Sequence, residues 1–202
     1  MMHLRTVFFL VVSALGLSAS AQSTPSPSNT AIFAGGCFWC IEADFEKLAG
    51  VVSVESGYTG GDLDNPTYQQ VSAGRTGHAE AVRVSFDPSK VSYEQLVDYF
   101  WHHIDPTVKD QQFCDVGSQY RSAIYYQGDA QKRVAEASKK ALEQSGRLKH
   151  IFTEVVPAAK FYLAEDYHQD YYKKNPVRYQ YYRSGCGRDA RLKQLWGGAA
   201  AQ

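Results

Sequence analysis

The sequence predicts an α+β fold with a β-α-β-β-α-β core, extra helices and an irregular C-terminal segment. Two observations predict it. Short runs with the two-residue alternation of strands exchange with runs at helical spacing, in that order, between residues 31 and 126. Glycine and proline signals punctuate each exchange. Taken in order, "AIFAGG" is a short strand ending in glycines. "CFWCIEADFEKLAG" places Phe38, Ile41, Phe45 and Leu48 at helical spacing, with Gly50 as a stop. "VVSVESGYTGG" is a strand with Val52, Val54 and Tyr58 on one face. "DLDNPTYQQVSAGRTG" is a polar loop with one helical turn. "HAEAVRVSF" is a strand that turns at Asp87-Pro88. Ser92 and Gln95 form a capping box for "YEQLVDYFWHHI". "RSAIYYQG" is the sixth element and a strand. This order is ferredoxin-like, with an antiparallel-containing sheet and helices on one face. An exposed helix "DAQKRVAEASKKALEQSG", a strand "FTEVVPAA", an irregular stretch and a last short helix "RDARLKQLW" follow.

The amino end stands apart. It has a short basic start, an apolar run from Val7 to Leu17 and a small-x-small ending, Ala19-Ser20-Ala21. That is the pattern of an export signal cut after Ala21; the apolar run is short for a membrane span. The expected division is a signal peptide over 1–21, a Pro/Ser linker over 22–30, a catalytic domain over 31–197 and a tail over 198–202. The mature chain is expected outside the cytoplasm, periplasmic or secreted, monomeric and free of the membrane. Lys+Arg and Asp+Glu are equal at 21 each, so the charge balance does not favour nucleic acid or acidic lipid.

All four cysteines, Cys37, Cys40, Cys114 and Cys186, fall in the exported part. An oxidising compartment would by default pair them as structural disulfides, but a domain of about 170 residues does not need such staples, and redox chemistry at the same sulfurs is the competing reading. Cys37 follows Gly35-Gly36 and opens a helix. The free N–H groups of a first turn favour an anion, so this thiol is expected to be nucleophilic with a lowered pKa. Glu80 is in phase with Val82, Val84 and Phe86, an acid on the apolar face of its strand. Desolvation there raises a carboxyl's pKa and suits a general acid near neutral pH. Asp115, Gln119 and Tyr120 crowd a glycine-containing turn just before a strand.

Five ordered segments, "GCFW", "NPTYQQV", "TGHAEAVRV", "DVGSQYRSAIYY" and "AEDYHQDYY", resemble the A-type peptide-methionine sulfoxide reductases over residues 31 to 196. The resemblance implies reduction of methionine (S)-sulfoxide in oxidised proteins or peptides, with the free amino acid as a further candidate. It implies that Cys37 is the nucleophile and that Phe38 and Trp39 cup the substrate methyl. It further implies that Glu80 protonates the sulfoxide oxygen, that Tyr68 and Tyr120 offer hydroxyls around it, and that Asp115 orders the site. No bound cofactor and no metal are implied; the reductant is external, a thioredoxin-like protein or dithiothreitol.

A sulfoxide carries an electrophilic sulfur and a strongly accepting oxygen, and these residue types suit both. Attack leaves Cys37 as sulfenic acid, which a second cysteine condenses to a disulfide. On this reading "CFWC" is only incidentally a CxxC. Cys186 is the expected resolving sulfur: flanking glycines let it move, Arg183 and Arg188 favour its thiolate, and the resemblance implies a C-terminal resolver. Cys40, one turn from Cys37, is the alternative, and Cys114 beside Asp115 is a third candidate. Two other readings are a thioredoxin-like oxidoreductase using Cys37 and Cys40, and a structural zinc module using all four cysteines.

Overall fold

The computed structural model describes Met1 and residues 29–197. The expected leader beyond Met1, most of the linker and the tail 198–202 lie outside the described residues. The elements in chain order are β1 (Thr30–Gly35), α1 (Phe38–Phe45), β2 (Val51–Thr59), α2 (Tyr68–Ser72), β3 (Ala79–Phe86) and α3 (Tyr93–His102), then β4 (Gln111–Gln112), β5 (Asp115–Val116), a 3-10 turn at Ser118–Tyr120 and β6 (Ser122–Tyr126). After them come α4 (Gly128–Gln144), β7 (Glu154–Pro157), β8 (Tyr162–Leu163), α5 (Tyr171–Lys174), α6 (Pro176–Gly185) and α7 (Arg188–Trp196). β1 begins at Thr30, one residue before the expected domain start.

The main sheet runs β7-β6-β1-β3-β2-β8, and β4 and β5 pair separately. The central four strands, β6-β1-β3-β2, are antiparallel throughout, as the β-α-β-β-α-β order requires. β7 extends the edge parallel to β6, and β8 caps the other edge against β2.

Alternation along β1 decides what each face buries. Phe33 sits opposite Val82 on one side and Ile124 on the other. All three are buried with Phe38, Ile41 and Phe45 of α1, Leu96 and Phe100 of α3, and Ala135 of α4. Phe33 stacks between Phe45 and Phe100 at ring separations of 5.0 and 4.9 Å. Truncating such a ring costs about 3–5 kcal/mol. Ile32 and Ala34 point to the opposite face, which Val156, Ala158 and Phe161 cover.

Both helix starts after a polar loop are sealed by capping boxes, Ser92 with Gln95 for α3 and Thr67 with Gln70 for α2. Three details differ from the sequence expectation. Val52 is 71% exposed, because the β2–β3 register shifts between Val51 and Ser53 and turns that residue outward. α1 ends at Phe45 and the chain reaches Gly50 (φ +97°) through turns, with Leu48 still packed against the core. Within the segment expected to be irregular, residues 176–185 form α6, opened by Pro176 at its first turn. Its tyrosines and arginines lack an apolar period, so the pattern hid the helix; only Tyr179 and Arg183 of it are buried.

Candidate active site

The turn from β1 into α1 places Cys37. Gly36 has φ +84°, and a Cβ there would stand 2.5 Å from Gln112 Cβ. A Cβ on Gly35 would stand 2.6 Å from Ile41 Cδ1. Only glycines allow this turn. Cys37 occupies the N-cap of α1, and its carbonyl accepts from Cys40 N at 3.1 Å. Its side chain is 6% exposed.

β3 brings Glu80 to the same point. Glu80 is 2% exposed and lies opposite Tyr58 of β2. Its Oε2 accepts the Phe38 backbone N–H at 3.0 Å. Burial pushes its carboxyl up to about 8, against the opposing pull of that hydrogen bond, and the negative Asp115 adds to the rise. Glu80 is therefore a neutral acid near pH 7, as the strand pattern predicts.

Cys37 departs from expectation. Its pKa is raised, first by burial, then by Cys40 and Glu80; the Tyr182 hydroxyl opposes the rise. Burial keeps the helix start from activating the thiol, and the first free N–H of α1 is bonded to Glu80. The lowered member of the pair is Cys40, at about 7, held by its hydrogen bond to Cys37 and by Arg188 and Arg183. The two arginines, expected to serve Cys186, instead flank buried Asp44: Arg183 Nη1 lies 3.0 Å and Arg188 Nε 3.8 Å from its carboxylate.

Around this pair the tyrosines and Asp115 assemble. The pKa of Tyr68 is pushed up to about 12 by burial and the nearby negative charge of Glu80 and Cys37. That of Tyr120 is raised by burial, then by Glu80, Tyr68, Asp115 and Cys37. Both phenols thus stay protonated donors beside the acid. Asp115 accepts from Tyr182 Oη at 2.5 Å, and burial raises its pKa against that bond. Phe38 lies 4.9 Å from the His168 ring and 6.5 Å from Tyr68. Trp39 stacks on Tyr171 at 3.6 Å and meets Tyr182 edge-on at 5.8 Å. Every residue predicted for substrate contact therefore falls in one cluster.

The sequence reading named neither Tyr182 nor His168. Trp39 Nε1 donates to His168 Nδ1 at 2.9 Å, which places the ring proton on Nε2 and fixes the indole. Glu165 holds the same wall, accepting from Tyr68 N and Tyr58 Oη, each at 2.8 Å. His168 lies in "AEDYHQDYY", a segment that carried the resemblance but whose residues received no roles. Tyr182 sits in a tyrosine-rich run with no period to single it out.

The sulfurs pair differently from the expectation. Cys186 is bonded to Cys114, with Cα atoms 4.9 Å apart, while Cys37 and Cys40 are free and buried. Cys186 is therefore not an available thiol in this state, and the sulfur touching Cys37 is that of Cys40. A four-cysteine zinc site is not assembled: among the described residues, ligand atoms of Cys114, Asp115 and Cys186 cluster without Cys37 or Cys40.

The comparisons with known proteins agree with this geometry. The family model described as "Peptide methionine sulfoxide reductase" matches residues 29–200. The peptide methionine sulfoxide reductase MsrA 2 of Caulobacter vibrioides is 50% identical over 200 residues, 98% of this chain and all of that protein. The MsrA of Bacillus subtilis is 51% identical over 168 residues, 83% of this chain and 95% of that protein. The MsrA/MsrB protein of Vibrio cholerae is 51% identical over 199 residues, but this chain spans only 53% of its length. Among solved structures, methionine sulfoxide reductase A of Corynebacterium diphtheriae superposes with a TM-score of 0.68 at 38% identity, covering 76% of this chain and 78% of that one. With glycine-turned Cys37 set against a buried neutral Glu80, and these likenesses over nearly the whole described chain, the protein belongs to the peptide methionine sulfoxide reductase family.

Proposed function

We propose that this chain reduces methionine (S)-sulfoxide in oxidised proteins and peptides to methionine, at the expense of an external dithiol. The observation that carries this is Glu80: a buried carboxyl, neutral near pH 7, anchored by Phe38 N–H beside the glycine-turned thiol Cys37. The substrate methyl enters between Phe38 and Trp39. The oxygen faces Glu80, Tyr68 and Tyr120. Cys37 attacks the sulfoxide sulfur, Glu80 protonates the oxygen, and the phenols stabilise the charge developing there. The thiol proton replaces the one Glu80 gave. Oxygen passes to Cys37 as sulfenic acid and methionine leaves as a thioether. A second thiol then condenses with the sulfenic acid, releasing water, and a thioredoxin-type dithiol or dithiothreitol reduces the resulting disulfide. Cys186, once freed from Cys114, and Cys40 are the two resolving candidates.

Mass spectrometry of a methionine-sulfoxide peptide incubated with the enzyme and dithiothreitol tests the reading. Loss of one oxygen from the S epimer alone supports it, and no loss from either epimer refutes it.

The basic, apolar and small-residue start supports export, with the mature chain beginning at Gln22 in the periplasm or outside the cell. Among the described residues no helix is long and apolar enough to cross a membrane. N-terminal sequencing of the exported protein checks this; a cytoplasmic protein retaining Met1 refutes it. An exported enzyme needs its thioredoxin-like donor on the same side of the membrane.

A further inference from the structure

We infer that Glu42 is a positioning residue whose buried carboxyl ties down a strap, residues 164–171, and that this strap sets how firmly Trp39 closes on the substrate methyl. The tie loosens as pH rises. The inference rests on the function proposed above, through the role given there to Trp39; the chemistry there leaves Glu42 without a task.

Three observations carry it. The first is the tie itself. Glu42 lies in α1, three residues after Trp39, and is 1% exposed. A carboxyl that deep is costly unless its oxygens are bonded. Oε1 accepts the Asp170 N–H at 2.9 Å, and Oε2 accepts the Ser56 hydroxyl at 3.1 Å. One side chain thus joins α1, β2 and the strap.

The second is what the strap carries. His168 accepts the Trp39 indole N–H at 2.9 Å, and Tyr171 stacks on the same indole at 3.6 Å, within 5° of parallel. Between them Gln169 grips β2: its Oε1 accepts from Ser56 N and its Nε2 donates to Ser56 O, each at 2.8 Å. Asp170 then takes the left-handed conformation, φ +52°, where the chain turns Tyr171 back onto Trp39. A residue with a Cβ adopts that conformation at a cost, and the N–H that Glu42 holds belongs to this residue.

The third is charge. Burial pushes the Glu42 carboxyl up to about 7, against its two hydrogen bonds, and the negative Glu46 and Asp170 add to the rise. Glu46 faces it from its own helix and Asp170 from the strap. Lys173 of α5 bridges those two at 2.7 and 2.8 Å, and the Tyr172 hydroxyl donates to Glu46. β2 faces it with the Ser56 hydroxyl. A strap that lifts returns Glu42 to water and to its ordinary value near 4.5. Below about 4.5 the carboxyl is neutral whether the strap is closed or lifted. Between about 4.5 and about 7 only the lifted form ionises, so the ratio of lifted to closed strap rises with pH, by up to about 300-fold.

The test compares the wild type with E42Q, which keeps the tie at every pH: its amide oxygen accepts from Asp170 N and its amide N–H donates to Ser56 Oγ. Hydrogen exchange over residues 164–171, read by mass spectrometry, should speed up in the wild type relative to E42Q by about tenfold or more from pH 5.5 to pH 8. In single turnover, the half-saturating concentration of a methionine-sulfoxide peptide should rise in the wild type relative to E42Q by at least about threefold over the same range, with plateau rates moving together. Glu80 and His168 are present in both proteins, so the ratio isolates Glu42. E42A, which lacks the tie, should need about tenfold more peptide at both pH values. A merely structural role would lower its active fraction and leave half-saturation alone. Should E42A not fold, the wild type and E42Q decide the question. An exchange ratio that stays constant with pH, or half-saturation that moves in parallel in the two proteins, overturns the inference. If the exchange ratio rises as expected but neither protein reduces the peptide, the reductase reading fails and the tie stands.

Discussion

Replacing Glu80 by Gln separates catalysis from stability. The amide keeps the shape of the carboxyl and can still accept from Phe38 N–H, now 3.0 Å from Oε2. It cannot transfer a proton. Loss of a general acid lowers the rate on the order of 10²–10⁴-fold, or about 3–5 kcal/mol of barrier.

Stability moves the other way. Below about pH 4.5 the Glu80 side chain is protonated in both folded and unfolded chains, so Glu and Gln fold equally well. Between about 4.5 and about 8 only the unfolded chain ionises, and each pH unit withdraws about 1.4 kcal/mol from the wild type. At pH 7, E80Q should therefore be more stable by about 3 kcal/mol, a rise in Tm of roughly 5–10 °C for a chain of this size. The advantage should vanish near pH 4. Single-turnover peptide reduction and thermal melts at pH 4 and pH 7 measure both halves. The wild type should keep its rate to about pH 8 and lose it above, as the acid form of Glu80 disappears. An E80Q protein that reduces sulfoxide at the parental rate, or that melts below the wild type at pH 7, would refute the reasoning.

Four further outcomes follow from the same geometry. C37S should release no methionine in single turnover by mass spectrometry, since a serine hydroxyl is a far weaker nucleophile. Titrating the reduced enzyme by thiolate ultraviolet absorbance should show a group near pH 7 that C40S removes, because the lowered thiol is Cys40 and not Cys37. H168F removes the acceptor of the Trp39 indole N–H; freeing that ring should raise KM by about five- to thirtyfold in steady-state assays, corresponding to about 1–2 kcal/mol of lost positioning. R183A leaves Asp44 short of its closest charge partner and should lower stability by about 3–5 kcal/mol in denaturant titration.

The sequence by itself determined the elements whose chemistry is local. Alternation in "HAEAVRVSF" located Glu80 on the buried face, and burial is what makes it an acid. Gly35-Gly36 announced a tight turn, and the positive φ of Gly36 is that turn. The Ser92–Gln95 capping box marked the start of α3 from within four residues. The resemblance of five segments brought Tyr68, Asp115 and Tyr120 into the same reading, although nothing in their own spacing assigns them a task.

What only the tertiary structure decided is how distant groups meet. Val52 faces solvent because of a register shift against β3, which no single-strand pattern records. α6 exists because its neighbours accept Tyr179 and Arg183, not because its sequence is periodic. Cys37 is not an activated thiolate because the fold buries it, beside Cys40 and beside an acid 43 positions away. The pairing of Cys114 with Cys186 spans 72 residues, and disulfide choice follows sulfur positions in space, not sequence spacing. The same holds for Trp39 and His168, 129 residues apart along the chain and one hydrogen bond apart in the fold. Local patterns record which face of an element is buried; they carry no information about which remote side chains bury it, and at this site the burial they complete, with the charges they bring, sets each group's charge.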